Sequence, residues 1–93
     1  MKIFQSRSFQ NKVKKLGKKE KKTLDGEVQK IATDPTIGVE KKGDLKSVFV
    51  HKFKMHSTGY LLSYRTKNEN IELIMLGPHE NYYRDLKNYV KSQ

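Results

Sequence analysis

The stretch GDLKSVFVHKFKMHSTGYLLSYRTKNENIELIMLGPHENYY, residues 43–83, decides the fold of this chain. In three of its segments, namely 48–54, 60–65 and 71–76, the side chains divide into two alternating sets, such as Ile71, Leu73 and Met75 against Glu72, Ile74 and Leu76. Such alternation is typical of β-strands that bury one face. The connections at 57–59 and 67–70 are short, so we expect the three strands to be antiparallel neighbours in one sheet.

The sequence before this stretch has helical rather than alternating spacing. Its apolar residues recur at intervals of three and four: Phe9, Val13 and Leu16, then Leu24, Val28 and Ile31. Ser6 or Ser8 is suited to cap the first helix, and Gly17 to end or bend it. The second helix stops before Pro35. The two helices are therefore expected to form an antiparallel hairpin whose narrow apolar stripe packs on another element.

A short first strand at 2–5, a loop at 35–46 and a last helix between 80 and 90 complete the expected elements. Their order, β-α-α-β-β-β-α, predicts an α+β fold in which a small antiparallel β-sheet packs on an N-terminal helical hairpin. With 93 residues, the whole chain, 1–93, is expected to form a single domain. One face of the sheet should pack on the helices, and the opposite face should stay exposed to water.

Composition limits the class of protein and its location. The absence of cysteine excludes disulfides and thiolate zinc sites. The first six residues are too polar for a signal peptide, and no apolar run approaches the length of a membrane span. The three histidines do not have metal-binding spacing on one element. We therefore expect a cytoplasmic protein with no membrane association, no metal and no cofactor.

Positive charge is the strongest compositional signal. The formal net charge is +10, from 20 Lys and Arg against 10 Asp and Glu. An excess of this size predicts a phosphate polymer or an acidic protein as the partner. The densest group of cations lies in the predicted hairpin: Lys14, Lys15, Lys18, Lys19, Lys21 and Lys22. These lysines, with Lys46, are candidate RNA contacts; alternatively, they form only the solvated surface of a helix.

A second group of cations follows the predicted sheet. Lys52 and Lys54 are two residues apart on one strand, so their side chains share a face. RNA carries its own nucleophile, the 2′-hydroxyl, and its cleavage needs a base, a cation for the developing phosphorane and an acid for the leaving 5′-oxygen. The two lysines can supply the base and the cation, and His79 the acid. The plain alternative is a solvated sheet face, with His79 capping the last helix.

Three further residues are candidates for contact with RNA. Arg65 can clamp a phosphate through its planar guanidinium group. Tyr82 or Tyr83 can stack on a base or orient the phosphate, and one of these two tyrosines is expected to lie in the core. The spacing does not decide which tyrosine is which, nor which of the basic groups is acid or base.

The order of these residues resembles the RelE/ParE superfamily of bacterial toxins, the toxins of type II toxin–antitoxin pairs. The resemblance covers nearly the whole chain and is most specific from Gly43 to Val90, where "GDLK", "KFK", "STGYLLSYR" and "LGPHENYYRDL" follow one another. It implies one fold with two activities, because RelE-like members cut mRNA in the ribosomal A site and ParE-like members poison DNA gyrase. It also implies neutralisation by a cognate antitoxin protein.

The resemblance also assigns roles to individual residues. Lys52 and Lys54 match the paired strand lysines of RelE-like nucleases. His79 lies close to the position of the family's C-terminal basic catalytic residue, and Tyr83, or else Tyr82, stands for the family's late tyrosine. No cofactor is implied for this chemistry.

One departure concerns charge at the centre of the sheet. Leu61 stands where RelE has an arginine just after the strand-opening "SGY", and Arg65 is the nearest arginine that can replace its charge. The leading hypothesis is nevertheless a ribosome-dependent mRNA endonuclease whose catalytic residues are Lys52, Lys54, Arg65, His79 and Tyr83. The alternatives are a ParE-like gyrase inhibitor and a non-toxic nucleic-acid-binding member of the family.

Overall fold

The computed structural model describes residues 2–41, 43–45, 47–79 and 82–91. Within these ranges the helices are α1 (Arg7–Lys14), α2 (Lys18–Thr33) and α3 (Tyr82–Lys91). The strands are β1 (Ile3–Gln5), β2 (Val39–Glu40), β3 (Phe49–Met55), β4 (Thr58–Lys67) and β5 (Asn70–Pro78). The predicted α+β fold, a sheet packed on a helical hairpin, is confirmed. None of the described helices is long and apolar enough to span a bilayer.

The strands form one sheet in the order β1-β5-β4-β3-β2. β3, β4 and β5 make the predicted antiparallel meander, while β1 lies parallel to β5 at one edge. The prediction of a plain loop at 35–46 is wrong in one respect, because β2 lies within it and pairs with β3 at the other edge. Two short 3₁₀ turns, Pro35–Ile37 and Gly43–Leu45, flank β2.

The hairpin of α1 and α2 covers one face of the sheet. α1 begins at Ser6, whose side chain accepts a hydrogen bond from the Phe9 N–H. Gly17 does not end α1; it begins α2, where its N–H donates to the Glu20 carboxylate at 2.9 Å. The core between the hairpin and the sheet contains Phe9, Leu24, Ile31, Leu62, Tyr64, Ile71, Leu73 and Leu76.

The opposite face of the sheet is partly covered, so the prediction of a fully exposed face is wrong. α3 lies against this face because its apolar residues recur at helical spacing. A second core forms between α3, the sheet and the segment before β3: Leu45, Val48, Val50, Leu61, Ile74, Tyr82 and Leu86. The exposed cations of this face must therefore lie beside α3.

The turns of the meander are two-residue connections, His56–Ser57 and Asn68–Glu69. All four residues have positive φ, between 52° and 67°, which is the conformation that suits the twist of a tight β-hairpin. The first turn lies one residue earlier than the predicted turn at 57–59. Gly59 is consequently a residue of β4 rather than of the turn.

A β-bulge interrupts the pairing of β4 with β5. Ser63 pairs with Met75, but the next residue, Tyr64, pairs with Leu73, which leaves Ile74 without a register partner on β4. The predicted alternation holds for Ile74 and is wrong from Met75 onward, because one extra residue reverses which side chains face the hairpin. As a result, both Ile74 and Met75 pack on the α3 side of the sheet.

Ser6 connects the start of α1 to this bulge. Its backbone N–H donates to the Leu73 carbonyl at 2.9 Å, and its hydroxyl donates to the carbonyl of Ile74. The same oxygen accepts the capping hydrogen bond from Phe9. One buried side chain thus satisfies a helix terminus and the unpaired residue of the bulge.

Glu27 and His51 join α2 to β3. The Glu27 Oε1 atom is 2.7 Å from His51 Nε2, and its Oε2 atom is 3.0 Å from the Lys30 ammonium. Burial on its own raises the pKa of the Glu27 carboxyl, but the hydrogen bonds to His51 and Lys30 outweigh burial and hold this pKa below its ordinary value of 4.5. The contact fixes the strand residue that immediately precedes Lys52.

Replacing Ser6 with alanine should lower the free energy of unfolding by about 2 kcal/mol, because the cap of α1 and the partner of the Ile74 carbonyl are lost together. Ser8→Ala is the matched control, since Ser8 lies within α1, where alanine favours the helix. Urea unfolding followed by circular dichroism measures both. Equal losses in the two variants would contradict the anchoring role of Ser6.

Glu27→Gln should destabilise the fold at neutral pH and make progressively less difference in acid. The folded pKa of Glu27 lies below its unfolded value, so its stabilisation is present above the unfolded pKa and is lost as the pH falls through the folded pKa. Unfolding curves at pH 7 and pH 3 compare the variant with Glu40→Gln, a change at an exposed residue of β2. A loss that is independent of pH would rule out this linkage.

Candidate nucleic-acid interface

Lys52 and Lys54 extend from β3 on the side of the sheet that α3 partly covers. Both are exposed, and both share their face with Val50 of the second core. Phe53, which lies between the two lysines, and Phe49, which precedes them on β3, pack on the hairpin side. The alternation predicted for this strand is therefore confirmed, and the two ammonium groups project from one surface.

Lys54 and His79 lie on either side of a glycine. Lys54 pairs with Gly59, and the register of Tyr60 with Pro78, extended by one residue, puts His79 opposite Gly59. The Cα atoms of Lys54 and His79 are then two strand spacings apart, or about 10 Å. Because Gly59 has no side chain, the space over it is open to the long side chain of Lys54 and to the imidazole.

The bulge decides which face His79 shares. After the bulge, Leu76 faces the hairpin core and Gly77 faces α3, whose Tyr82 ring lies 3.5 Å from the position a Cβ of Gly77 would take. His79, two residues beyond Gly77, follows the same side, and its ring contacts that of Tyr83 on α3 at 5.8 Å between centroids. The structure therefore brings His79 to the face of the two lysines.

Leu61 lies between Lys52 on β3 and Gly77 near the end of β5. Lys52 pairs with Leu61, which pairs in turn with Gly77. The Leu61 side chain is only 2% exposed, because Leu86 and Tyr82 of α3 pack in the same cluster. Lys52 thus lies at the border between the covered and the open part of this face.

Tyr82 and Tyr83 divide between core and surface. Tyr82 is buried, and its hydroxyl lies 2.7 Å from the Met75 carbonyl oxygen and 2.9 Å from the Ser63 hydroxyl. Burial raises the pKa of the Tyr82 hydroxyl far above its ordinary value. This effect outweighs that of the hydrogen bond with Ser63, which lowers the pKa. The predicted role of Tyr82 in stacking on RNA does not fit this position, whereas Tyr83 is half-buried and borders the site.

Arg65 is not brought together with the other predicted catalytic residues. It shares their face of the sheet, but it lies four residues beyond Leu61 on β4, or about 13 Å further along the strand. Its Nε donates to the Glu72 carboxylate at 2.5 Å, directly across the pair with β5. Arg65 also borders a cavity of about 590 Å³ beside Phe4 and Lys67, at the far end of the sheet. The structure therefore does not bring Arg65 together with Lys54 and His79.

The lysines of the hairpin form a separate surface. All six are exposed, at the end of α1 and in the first turns of α2: Lys14, Lys15, Lys18, Lys19, Lys21 and Lys22. The hairpin packs on the sheet face opposite to Lys52 and Lys54, so these lysines belong to the other layer of the molecule. The remaining predicted contact, Lys46, lies outside the described residues.

Lys41 is a residue of this region that the sequence does not single out. Its ammonium group lies 4.9 Å from the centroid of the Tyr83 ring, on which the edge contacts with His79 and Tyr82 also converge. Lys41 belongs to the segment predicted as a loop, and its neighbour Lys42 carries the same charge. No spacing rule distinguishes one from the other, so only the fold identifies Lys41.

The sequence profile of one protein family matches residues 3–87 of the chain. That family is described as the ParE-like toxin of type II bacterial toxin–antitoxin systems. No curated protein sequence matches the chain significantly.

Solved structures of Escherichia coli RelE have the same fold. A doubly substituted RelE in the free state is 22% identical, with a TM-score of 0.72 over 98% of this chain and 95% of that one. RelE in the intact RelBE toxin–antitoxin complex is 21% identical, with a TM-score of 0.68 over 85% and 96%. The doubly substituted RelE bound to an antitoxin RelBc peptide is 21% identical, with a TM-score of 0.65 over 91% and 92%.

Proposed function

Since this chain belongs to the ParE-like toxins of type II bacterial toxin–antitoxin systems, we propose that it is a toxin that cleaves mRNA on the ribosome and so stops translation. The observation that carries the proposal is the pairing of Lys54 with Gly59, with His79 directly after the end of β5 on the same face and Lys52 two residues from Lys54 on β3. The open space over Gly59 supports the proposal, because a phosphodiester could lie there between Lys54 and His79.

The proposed chemistry uses the RNA's own hydroxyl. The 2′-oxygen attacks phosphorus while one of the two lysine amines takes its proton, and the other ammonium stabilises the phosphorane charge. The bond from phosphorus to the 5′-oxygen then breaks, and His79 donates the proton that the leaving oxygen needs. The products are a 2′,3′-cyclic phosphate and a 5′-hydroxyl. No metal or cofactor enters any of these steps.

The proposal also gives this strongly basic chain anionic binding partners. Ribosomal RNA would contact the hairpin lysines while mRNA reaches the opposite face, so the two cationic surfaces would serve two parts of one target. RelE occurs in complex with an antitoxin, and we propose a cognate antitoxin as the partner that neutralises this chain in the cytoplasm. Complementary charge would speed that association.

A ParE-like attack on DNA gyrase is the second candidate function. Two observations favour it: the family profile that matches is the ParE-like one, and the centre of the candidate site carries the buried Leu61 rather than a cation. In that case Lys52, Lys54 and His79 would serve binding only.

Lys54→Ala and His79→Ala should each lower ribosome-dependent cleavage at least about a hundredfold, because each removes one acid–base or charge-stabilising group. Lys67→Ala, which removes an exposed lysine at the far end of β4, is the matched control and should cleave like the native protein. Primer extension on a defined mRNA, with and without programmed 70S ribosomes, measures cleavage. Circular dichroism confirms that each variant is folded.

Cleavage within the A-site codon only when ribosomes are present would support the nuclease. Absence of cleavage by folded native protein, together with inhibition of DNA supercoiling by purified gyrase, would overturn it in favour of the second candidate. Full activity in the Lys54→Ala, His79→Ala double variant would remove the catalytic assignment alone.

Lys18→Ala with Lys19→Ala should weaken ribosome binding without lowering cleavage of bound mRNA, since these residues lie on the opposite layer. Each lost phosphate contact should reduce the slope of log K against log salt by roughly one. The double substitution Lys2→Ala with Lys67→Ala removes the same charge from the other end of the molecule and is the control. Filter binding between 50 and 200 mM salt compares them; identical slopes would exclude a role for the hairpin in binding.

A further inference from the structure

The side chains of Lys41, Tyr83 and His79 contact one another in that order beside the candidate site. The Lys41 ammonium lies 4.9 Å from the Tyr83 centroid, a distance typical of a cation–π contact. The Tyr83 ring meets the His79 ring at 5.8 Å and 81°, an edge-to-face arrangement. The imidazole proposed as the proton donor therefore contacts the same tyrosine ring as a cation from another part of the fold.

Lys41 is itself well placed to hold a ring in a fixed orientation. It follows β2 directly, and its backbone N–H donates to the Val48 carbonyl at 2.8 Å, which continues the pairing of β2 with β3. Its side chain is partly buried, unlike the exposed lysines of the site. The ammonium group thus approaches Tyr83 from a strand edge rather than from a free loop.

His79 needs such support because of where it lies. It is exposed and follows Pro78, the last residue of β5, so its backbone lies outside the described pairing of β5 with β4. Tyr83 lies in the first turn of α3 and packs against the second core. A ring anchored in this way is a suitable wall for an imidazole that must point over Gly59.

We propose that Lys41 is a positioning residue of the toxin, which holds the Tyr83 ring by a cation–π contact and through it directs the His79 imidazole toward Lys54. This inference rests on the proposed nuclease function and adds a residue to its site. Lys41 does not touch the reacting atoms. Its contribution is the orientation of the proton donor, so its loss should affect the chemical step more than the binding of RNA.

Lys41→Met, which keeps the length of the side chain and removes its charge, should lower kcat roughly fivefold and change KM by less than about twofold. Lys41→Arg should restore most of kcat, because a guanidinium also binds the face of an aromatic ring. Lys67→Met is the control for loss of one charge and should leave kcat unchanged. Loss of kcat in Lys41→Met without rescue by arginine would overturn the proposal.

A double-mutant cycle separates positioning from a direct effect of charge. If Lys41 acts through Tyr83, the substitution Lys41→Met should cost nothing further in a Tyr83→Leu background. Equal losses in the two backgrounds would show that Lys41 acts on the RNA or on the fold instead, and would overturn the proposal.

A readout without RNA keeps the proposal separate from the nuclease function. The NMR signals of the His79 ring should shift in Lys41→Met and stay in place in Lys67→Met. Unshifted signals would overturn the positioning role even if the native protein cleaves mRNA. Shifted signals in a protein without cleavage activity would support the contact network and refute the nuclease.

Discussion

The site depends on one backbone irregularity, the bulge at Ile74. If side chains alternated strictly along β5 through Ile74, the side of the sheet that takes Ile71 and Leu73 would also take Gly77 and His79, and His79 would face the hairpin core. Because of the bulge, the residues of β5 after Ile74 change faces. The Tyr82 ring therefore packs over Gly77, and His79 lies on the face of the two lysines. At this bulge, the Ser6 hydroxyl donates a hydrogen bond to the Ile74 carbonyl, 68 residues away in sequence.

This small protein has two cores on one sheet, and the bulge puts both Ile74 and Met75 on the side of the second core. Only 34% of the residues are hydrophobic, and the chain carries 20 lysines and arginines that have to stay near water. One core lies under the hairpin, and the other lies under α3, which seals Leu61 and leaves the lysine side of β3 open. The border between sealed and open surface runs between Leu61 and Lys52, and the candidate site lies along that border.

Local patterns predicted what depends on local geometry. The period of two predicted Lys52 and Lys54 on one face, and the helical spacing predicted α1 and α2. The sequence offered Ser6 or Ser8 as the cap of α1, and the cap is Ser6. The bulge could not be predicted, because Ile74 and Met75 are both apolar and either alternation satisfies a buried strand. Periodicity also gives the face of a residue but not its position along the strand. It could not show that Arg65 lies about 13 Å along β4 from Leu61, the partner of Lys52, and further still from Gly59, the partner of Lys54.

The tyrosine pair and Lys41 show a different limit of the sequence. Tyr82 and Tyr83 are adjacent, so the phase of α3 on the sheet decides which ring is buried, and that phase follows from packing against Gly77. The Lys41 ammonium lies near the Tyr83 ring only because β2 pairs with β3. Both features depend on contacts between segments that are distant along the chain.

The parallel pairing of β1 with β5 has a consequence for the order of folding. Residues 3–5 meet residues 71–73, whereas the β3–β4–β5 meander is closed by turns of two residues. Loop-closure entropy therefore favours early formation of the meander and late docking of the N-terminal strand. Ser6 follows that strand immediately, so its hydrogen bond to the bulge forms with the same late event. A chain that has collapsed but has not yet docked its first strand therefore has its cations and its meander, yet lacks the hydrogen bond from Ser6 to the bulge residue Ile74.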